Sequence, residues 1–450
     1  MASTEYRPGD EMLRLTKQRA NELIRRRSRR RRVGGGLLVG VVLGAGALAA
    51  GQLSTDESEV VTASVGAEAT STTVARGPLA GPETWEPMAA SPLSPRSGSI
   101  AVWTGQEMLV WRGEGAFSDS CEIRDGGVLR CGEPARNDGA AYDPAADTWR
   151  ELPSAPLPDE EGSDLAYKGV WTGRELVVWG GVEGNGAAYD PERDRWRPIS
   201  SAGLEPRTDF SMTWTGTEII VHGGGNPNRG EFEPPAPFDD GAAYDPATDQ
   251  WRSISGSGTP RAQQSALWFN GRLLVVGGVH YETGSVTVSQ SYDPSTDAWT
   301  TLADSPLDDI TGVVWTGSAV LAFGSVVPGE DAPRGPAAAA YDLVRDTWTM
   351  LLTPPMENPV IPSLAWSGRE LLVLGSPFVG ESQSASTPGL AFDPVAGSWR
   401  SLPASGLAPR GGITIVWAGD QLLAWGGAGY TGYTSEPFGD GARYRPGEGR

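Results

Sequence analysis

Seven times in this chain a tryptophan opens a short apolar run, and the seventh residue before it is, in order, Arg96, Asp164, Arg207, Arg261, Asp308, Pro359 and Arg410. Arginine carries a planar fork of donors that grips a carboxylate by paired hydrogen bonds. Four arginines gathered with two aspartates around one opening would form a mixed-charge ring able to receive an anionic sugar, an acidic peptide or another carboxylate. The plainer reading gives each arginine an acidic neighbour and the task of stapling two strands. Hydrolytic or isomerising chemistry on a sugar would need a carboxyl with a raised pKa beside the arginines, and Asp164 and Asp308 are the candidates in this set.

The elements that position these residues are repeats. "GAAYDPAADTW" at 139–149 returns as "GAAYDPERDRW" at 186–196 and "GAAYDPATDQW" at 241–251, then in looser form as "QSYDPSTDAW" and "AAYDLVRDTW". A second phrase precedes each copy: "VWTGQEMLVW", "VWTGRELVVW" and their variants, two apolar runs around a Gly-containing turn, which reads as a β-hairpin. The Tyr phrase reads as another hairpin turned by Asp-Pro. Each unit therefore supplies four antiparallel strands, a to d. Strand-a tryptophans number seven (Trp103, Trp171, Trp214, Trp268, Trp315, Trp366, Trp417), and strand-d tryptophans six (Trp149, Trp196, Trp251, Trp299, Trp348, Trp399). The missing seventh stands at the other end, in "ETWEPM" at 83–88, while the chain ends after a third strand, "GARYRP". A four-stranded sheet cannot bury both faces alone, so a closed ring is expected, with the N-terminal strand completing the last blade.

This pattern resembles the kelch-repeat family over nearly everything from residue 83 onward. The family's Gly-Gly doublet after strand b appears as Gly180-Gly181, Gly223-Gly224, Gly277-Gly278 and Gly426-Gly427, whereas blades one, five and six carry "RG", "GS" and "GS". The resemblance implies an all-β, seven-bladed β-propeller of the type found in galactose oxidase-like proteins. It is nearly silent on activity, because such propellers include binding scaffolds and enzymes. Copper oxidases of this type need two histidines and two tyrosines, one tyrosine cross-linked to a cysteine. The only histidines here are His222, in a strand-b slot held elsewhere by Trp111, Trp179, Val276, Phe323, Leu374 and Trp425, and His280 in the next blade. No metal or cofactor is expected.

The turns a–b and c–d share one face of the disc and are short. Length varies on the other face, where the b–c loops include "GEGAFSDSCEIRDGGVLRCGEPARND", "GNPNRGEFEPPAPFDD", "SPFVGESQSASTPG" and "AGYTGYTSEPFGD". Binding chemistry concentrates on such loops. The repeated Asp in "YDPxxD" is explained by local turn donors rather than calcium. No catalytic triad order, phosphate loop or dinucleotide fingerprint is present.

The two ends differ in charge. Residues 1–53 hold 11 basic against 4 acidic residues, and the remainder holds 25 against 52, which disfavours nucleic acid as a partner. "RRRSRRRR" (Arg25–Arg32) precedes 21 uncharged residues, 33–53, enough to span roughly 30 Å of hydrocarbon with the arginines cytoplasmic. The expected order is a basic cytoplasmic segment (1–32), a transmembrane signal anchor (33–53), a flexible stalk (54–82) and an extracytoplasmic propeller (83–450) in a bacterial cell membrane. A signal peptide cleaved after Ala49 is the rival reading. Gly36, Gly40 and Gly44 share one helix face at a spacing that would permit dimerisation. Outside the cytoplasm Cys121 and Cys131 are expected to close their segment as a disulfide-bonded hairpin. The function expected from these readings is a module that binds a protein or a cell-envelope glycan through the b–c/d–a loop face. The alternative is a carbohydrate-active enzyme such as a sialic-acid mutarotase or glycosidase.

Overall fold

The computed structural model describes residues 82–116, 122–124, 128–130, 136–158, 167–181, 183–226, 237–326, 335–356, 362–375, 389–431 and 434–447. The expected basic segment and anchor, with Gly36, Gly40 and Gly44, lie outside these residues, as do Cys121, Cys131, Asp164 and Pro359. Among the described residues no helix is long and apolar enough to cross a membrane.

Seven four-stranded antiparallel sheets form, one for each unit. Six are ordered a-b-c-d along the chain, for example Tyr167–Trp171, Leu176–Gly180, Asn185–Asp190 and Arg195–Pro198 in blade two. The seventh joins Thr414–Ala418, Gln421–Trp425 and Gly441–Arg445 to the N-terminal strand Thr84–Pro87, with Trp85 opposite Tyr444. Each strand a touches the strands a of the blades before and after it, and the contact of Ile100–Trp103 with Thr414–Ala418 closes the ring. The seven-bladed, all-β architecture expected from the repeats is therefore present.

Between neighbouring blades the apolar faces meet in seven clusters, one for each junction. The junction of blades one and two, for instance, gathers Leu109, Trp111, Tyr167 and Leu176. Polar stitches reinforce the junctions. The first Asp of each "YDPxxD" behaves as the turn chemistry predicts: Asp143 accepts the N–H of Ala145 at 2.8 Å and Asp293 that of Ser295 at 3.0 Å. The second Asp does something that local turn chemistry does not foresee. Asp147, Asp249 and Asp297 hold left-handed φ values of 50 to 55° and accept the Tyr hydroxyl of their own blade. Each also accepts a backbone N–H from the preceding blade, namely Ala89, Ser200 and Ser255 at 2.9 Å. The strand-d tryptophans Trp149, Trp251 and Trp299 donate to the carbonyls of those same three residues. One residue of each of these three inter-blade connections is thus held at both its N–H and its C=O, so the repeated phrase is a blade-to-blade clamp.

The glycine doublets have a comparable cause. A Cβ on Gly426 would stand 2.7 Å from the Arg96 carbonyl of the next blade, and Gly427 N–H donates to that carbonyl at 2.9 Å. In blade three Gly223 and Gly224 meet the Arg261 carbonyl the same way. Only glycine allows so close an approach.

Candidate functional site

The four predicted arginines lie at the start of strand a in their blades, on the loop face, and all are buried, with exposures of 0 to 5%. Their contacts repeat from blade to blade. Nη1 donates to the carbonyl 16 residues on: Arg112, Gly223, Gly277 and Gly426 for Arg96, Arg207, Arg261 and Arg410 respectively. Nη1 also reaches a carboxylate just before strand c: Asp138 at 2.6 Å from Arg96, Asp240 at 2.8 Å from Arg207 and Asp440 at 2.6 Å from Arg410. Phe238 and Phe438 lie under the guanidinium groups of Arg207 and Arg410 at 4.3 and 4.0 Å. These contacts staple the start of strand a to the b–c connection and to strand c of the same blade. The expected exposed gripping fork is therefore taken up internally, because a guanidinium removed from water must have its donors satisfied nearby.

Blade four departs from the set. Val288 stands where blades one, three and seven carry the aspartate, and Arg261 donates instead to the Val288 carbonyl at 2.8 Å and to Gln290 Oε1 at 2.6 Å. With no carboxylate paired to it among the described residues, burial pulls the pKa of Arg261 down to about 10. Asp308, half-buried at the start of strand a in blade five, donates its N–H to Ser325 O at 3.0 Å.

Two residues beyond each arginine the backbone is left-handed, with φ of 66° at Gly98, 57° at Asp209, 57° at Gln263 and 59° at Gly412. Neighbouring copies are linked: Gly98 N–H donates to Gly412 O at 3.1 Å, and Gln263 N–H to Asp209 O at 2.8 Å. Glycine suits this conformation, and a side chain there is strained unless something favours it. Blades three and four carry side chains at this position, and those side chains meet. Asp209 Oδ2 accepts a hydrogen bond from Tyr281 Oη at 3.3 Å and interacts with the Gln263 side chain. Tyr281 is presented by a tight hairpin of blade four, between Val279–His280 and Gly284–Ser285.

The fourth member is Lys168, second residue of strand a in blade two. Strand alternation aims it. Tyr167 turns toward blade one and lies 5.8 Å edge-on to Trp111, while Val170 packs into the cluster with Phe210 and Met212 of blade three. Lys168, on the Val170 side, faces blade three and Asp209. It is half-buried. Among the described residues no carboxylate lies within the 4.0 Å of an ion pair to its ammonium.

Electrostatics separate this cluster from the structural pairs. Burial lowers the pKa of Lys168, opposed by the charge of Asp209. Burial raises that of Asp209, opposed by Lys168 and by the hydrogen bonds of Gln263 and Tyr281. Burial, then the Asp209 charge, pushes Tyr281 up to about 12. By contrast, the hydrogen bond and charge of Arg96 hold Asp138 below its ordinary value, outweighing the burial that would raise it. A lysine and an aspartate both displaced toward their neutral forms differ from the arginine–carboxylate staples, and displacements of this kind concentrate at functional sites.

Replacing Gln263 by glycine should remove the backbone strain and raise stability by about 1 kcal/mol. Chemical denaturation of the two proteins checks this, and a less stable variant would show that the Gln263 side chain holds the fold rather than the site.

Lys168, Asp209, Gln263 and Tyr281 were not among the sequence candidates. A signal for them existed: Lys168 is the single lysine after residue 17, and Asp209 and Gln263 replace glycine at an aligned position. A groove of about 980 Å³ lies on the opposite, turn face between blades two and three. Its charges are largely matched in pairs within blade two, Arg197 with Glu175 at 2.8 Å and Arg193 with Asp190, and Arg197 also reaches across to the Tyr244 hydroxyl of blade three at 3.4 Å.

His222 does not suit a metal. His222 is fully buried with its ring 4.6 Å from Trp299, and burial followed by the Arg261 charge takes its pKa down to about 3. Among the described residues no three His, Cys, Asp or Glu side chains converge as ligands.

No family model matches the chain, and no curated protein matches it in sequence. Among solved structures it is similar to a fungal alcohol oxidase of the AA5 family, in complex with copper, at 18% identity and a TM-score of 0.56, over 81% of this chain and 77% of that one. A likeness at that identity speaks to architecture alone, and His222, sealed under Trp299, does not fit a copper ligand. The chain is a seven-bladed β-propeller that shares its fold with this oxidase.

Proposed function

We propose that this chain is a membrane-tethered, extracytoplasmic propeller that binds a ligand at the loop-face mouth of its ring. The observation that carries the reading is the convergence of Lys168, Asp209, Gln263 and Tyr281 from three blades, two of them on left-handed backbone. The tether rests on Arg25–Arg32 and the uncharged residues 33–53. Of the two ligand classes expected, protein and cell-envelope glycan, the glycan is favoured. A compact set of a cation, a carboxyl, an amide and a phenol matches the alternating donors and acceptors of a sugar better than a broad protein surface.

A carbohydrate-active enzyme is the second reading, favoured by one observation, the opposed displacement of Lys168 and Asp209. An amine and a carboxyl poised near their neutral forms can move protons to and from a sugar oxygen.

The test uses the full-length protein in detergent against a panel of envelope glycans and sugars, beside K168M and D209N. Each variant should lose about 10- to 100-fold in affinity, the worth of a hydrogen bond to a charged group. Melting temperatures establish that the variants are folded. Unchanged glycan affinity in both folded variants, or capture of a protein alone, would sink the glycan reading. The four arginines are unsuitable probes of binding, since their replacement removes the staples of the blades.

A further inference from the structure

This chain contains 34 arginines and two lysines, Lys17 and Lys168. Wherever the propeller needs a fixed cation it uses arginine: in the staples to Asp138, Asp240 and Asp440, and in the turn-face pairs to Glu107, Glu175, Glu218 and Glu370. Arginine cannot give up its proton under ordinary conditions, and lysine can. At the mouth of the ring the chain places an amine, facing Asp209 but not in ion-pair contact with it. A purely electrostatic partner for Asp209 would be expected to be an arginine at salt-bridge distance, as in the other blades.

We infer that Lys168 is a nucleophile that forms a reversible imine with an aldehyde or ketone carbonyl of the ligand, with Asp209 passing the protons and Tyr281 holding Asp209. The inference rests on the mouth being the binding site proposed above, and it narrows the ligand to one with a free carbonyl: the open-chain form of a reducing sugar, or a 2-oxo acid. The neutral Lys168 Nζ attacks the carbonyl carbon, the C=O π bond breaks, and the oxygen takes a proton from the Asp209 carboxyl. The nitrogen then gives a proton back to the Asp209 carboxylate, leaving a neutral carbinolamine. Asp209 returns that proton to the hydroxyl, which departs as water while the nitrogen lone pair forms C=N, and the iminium proton passes to Asp209. Amine and carbonyl become imine and water, with no oxidant or reductant needed. The lowered pKa of Lys168 supports the step by enlarging its neutral fraction, and the raised pKa of Asp209 by keeping a proton available.

Because Lys17 is the only other lysine, the protein carries its own control. Full-length protein in detergent is incubated with sodium cyanoborohydride and pyruvate, D-glyceraldehyde or methyl α-D-glucopyranoside, whose anomeric carbon is locked, and the adducts are mapped by peptide mass spectrometry. Lys168 should be trapped by pyruvate or glyceraldehyde at least about tenfold faster than Lys17 at neutral pH, a factor that a positioned acid–base group is able to supply. The rate should saturate with probe and give a bell-shaped pH profile, rising as the amine loses its proton and falling as Asp209 loses its own. D209N should slow trapping about tenfold or more, within the range of general acid–base catalysis, and the locked glycoside should give no adduct. Equal trapping of Lys17 and Lys168, or a folded D209N trapped as fast as the wild type, would overturn the inference. Glycan binding lost in K168M without carbonyl trapping would leave the mouth site standing and remove the imine. Trapping at Lys168 without binding of any glycan would leave the imine and the mouth site standing and remove the glycan reading.

Discussion

Removing residues 83–88 should unfold the propeller. These residues supply the fourth strand of the last blade, and without them Gly441–Arg445 becomes an unpaired edge at the outer rim of the ring. The loss is more than a ladder of hydrogen bonds. Trp85 leaves its ring contact with Tyr444 at 5.1 Å, Glu83 leaves Arg400 at 2.6 Å, and Glu86 leaves Arg443 at 3.3 Å. Met88 is withdrawn from the cluster between blades seven and one, which also holds Trp425 and Met108. A ring distributes its stability over its junctions, so one open junction exposes the two neighbouring blades. The expected loss is at least about 5 kcal/mol, comparable to the net stability of a typical domain. The near-ultraviolet circular dichroism of the deletion protein should lose its cooperative melt, and a synthetic peptide spanning 82–90 should restore part of it by adding the missing strand. A deletion protein that melts as the wild type would show that the ring closes without this strand.

Asp440→Ala and Asp240→Ala should each destabilise the fold by about 2–3 kcal/mol, because each leaves a buried guanidinium without its carboxylate. Blade four sets the scale. Arg261 is tolerated there with carbonyls and Gln290 as its acceptors, so the penalty should fall below that of an isolated buried charge. The converse substitution, Val288→Asp, would recreate the pair of blades one, three and seven, and should stabilise by about 1 kcal/mol while returning Arg261 toward its ordinary pKa. Urea denaturation of the three variants measures both directions. If Val288→Asp destabilises, blade four is shaped around its carbonyl and amide acceptors, and the staples are not interchangeable.

Much of this architecture could be read from the residues. The count of Trp103 through Trp417, the six strand-d tryptophans and the displaced "ETWEPM" together require seven blades and a closing strand, and the register of Trp85 opposite Tyr444 is the outcome. The arginine slots were legible as positions and ambiguous as roles. Their carboxylate partners lie 30 to 42 residues downstream, and Asp138, Asp240 and Asp440 share no motif with the arginines beyond preceding a glycine. The role of the second Asp in "YDPxxD" was legible as a turn and not as a clamp, because the backbone it holds belongs to the preceding blade.

By itself the sequence determined the repeat, the strand count, the closure and the division between a short-turn face and a long-loop face. Those properties are local: they follow from apolar alternation, turn residues and glycine at left-handed positions, each written within one unit. Only the tertiary structure decided which titratable groups share an environment. Lys168, Asp209 and Tyr281 come from three blades and meet through the curvature of the ring, and their proton affinities depend on how much water that meeting removes. Desolvation and charge act across space, so whether an arginine is a staple and an aspartate a proton carrier depends on neighbours distant in the chain.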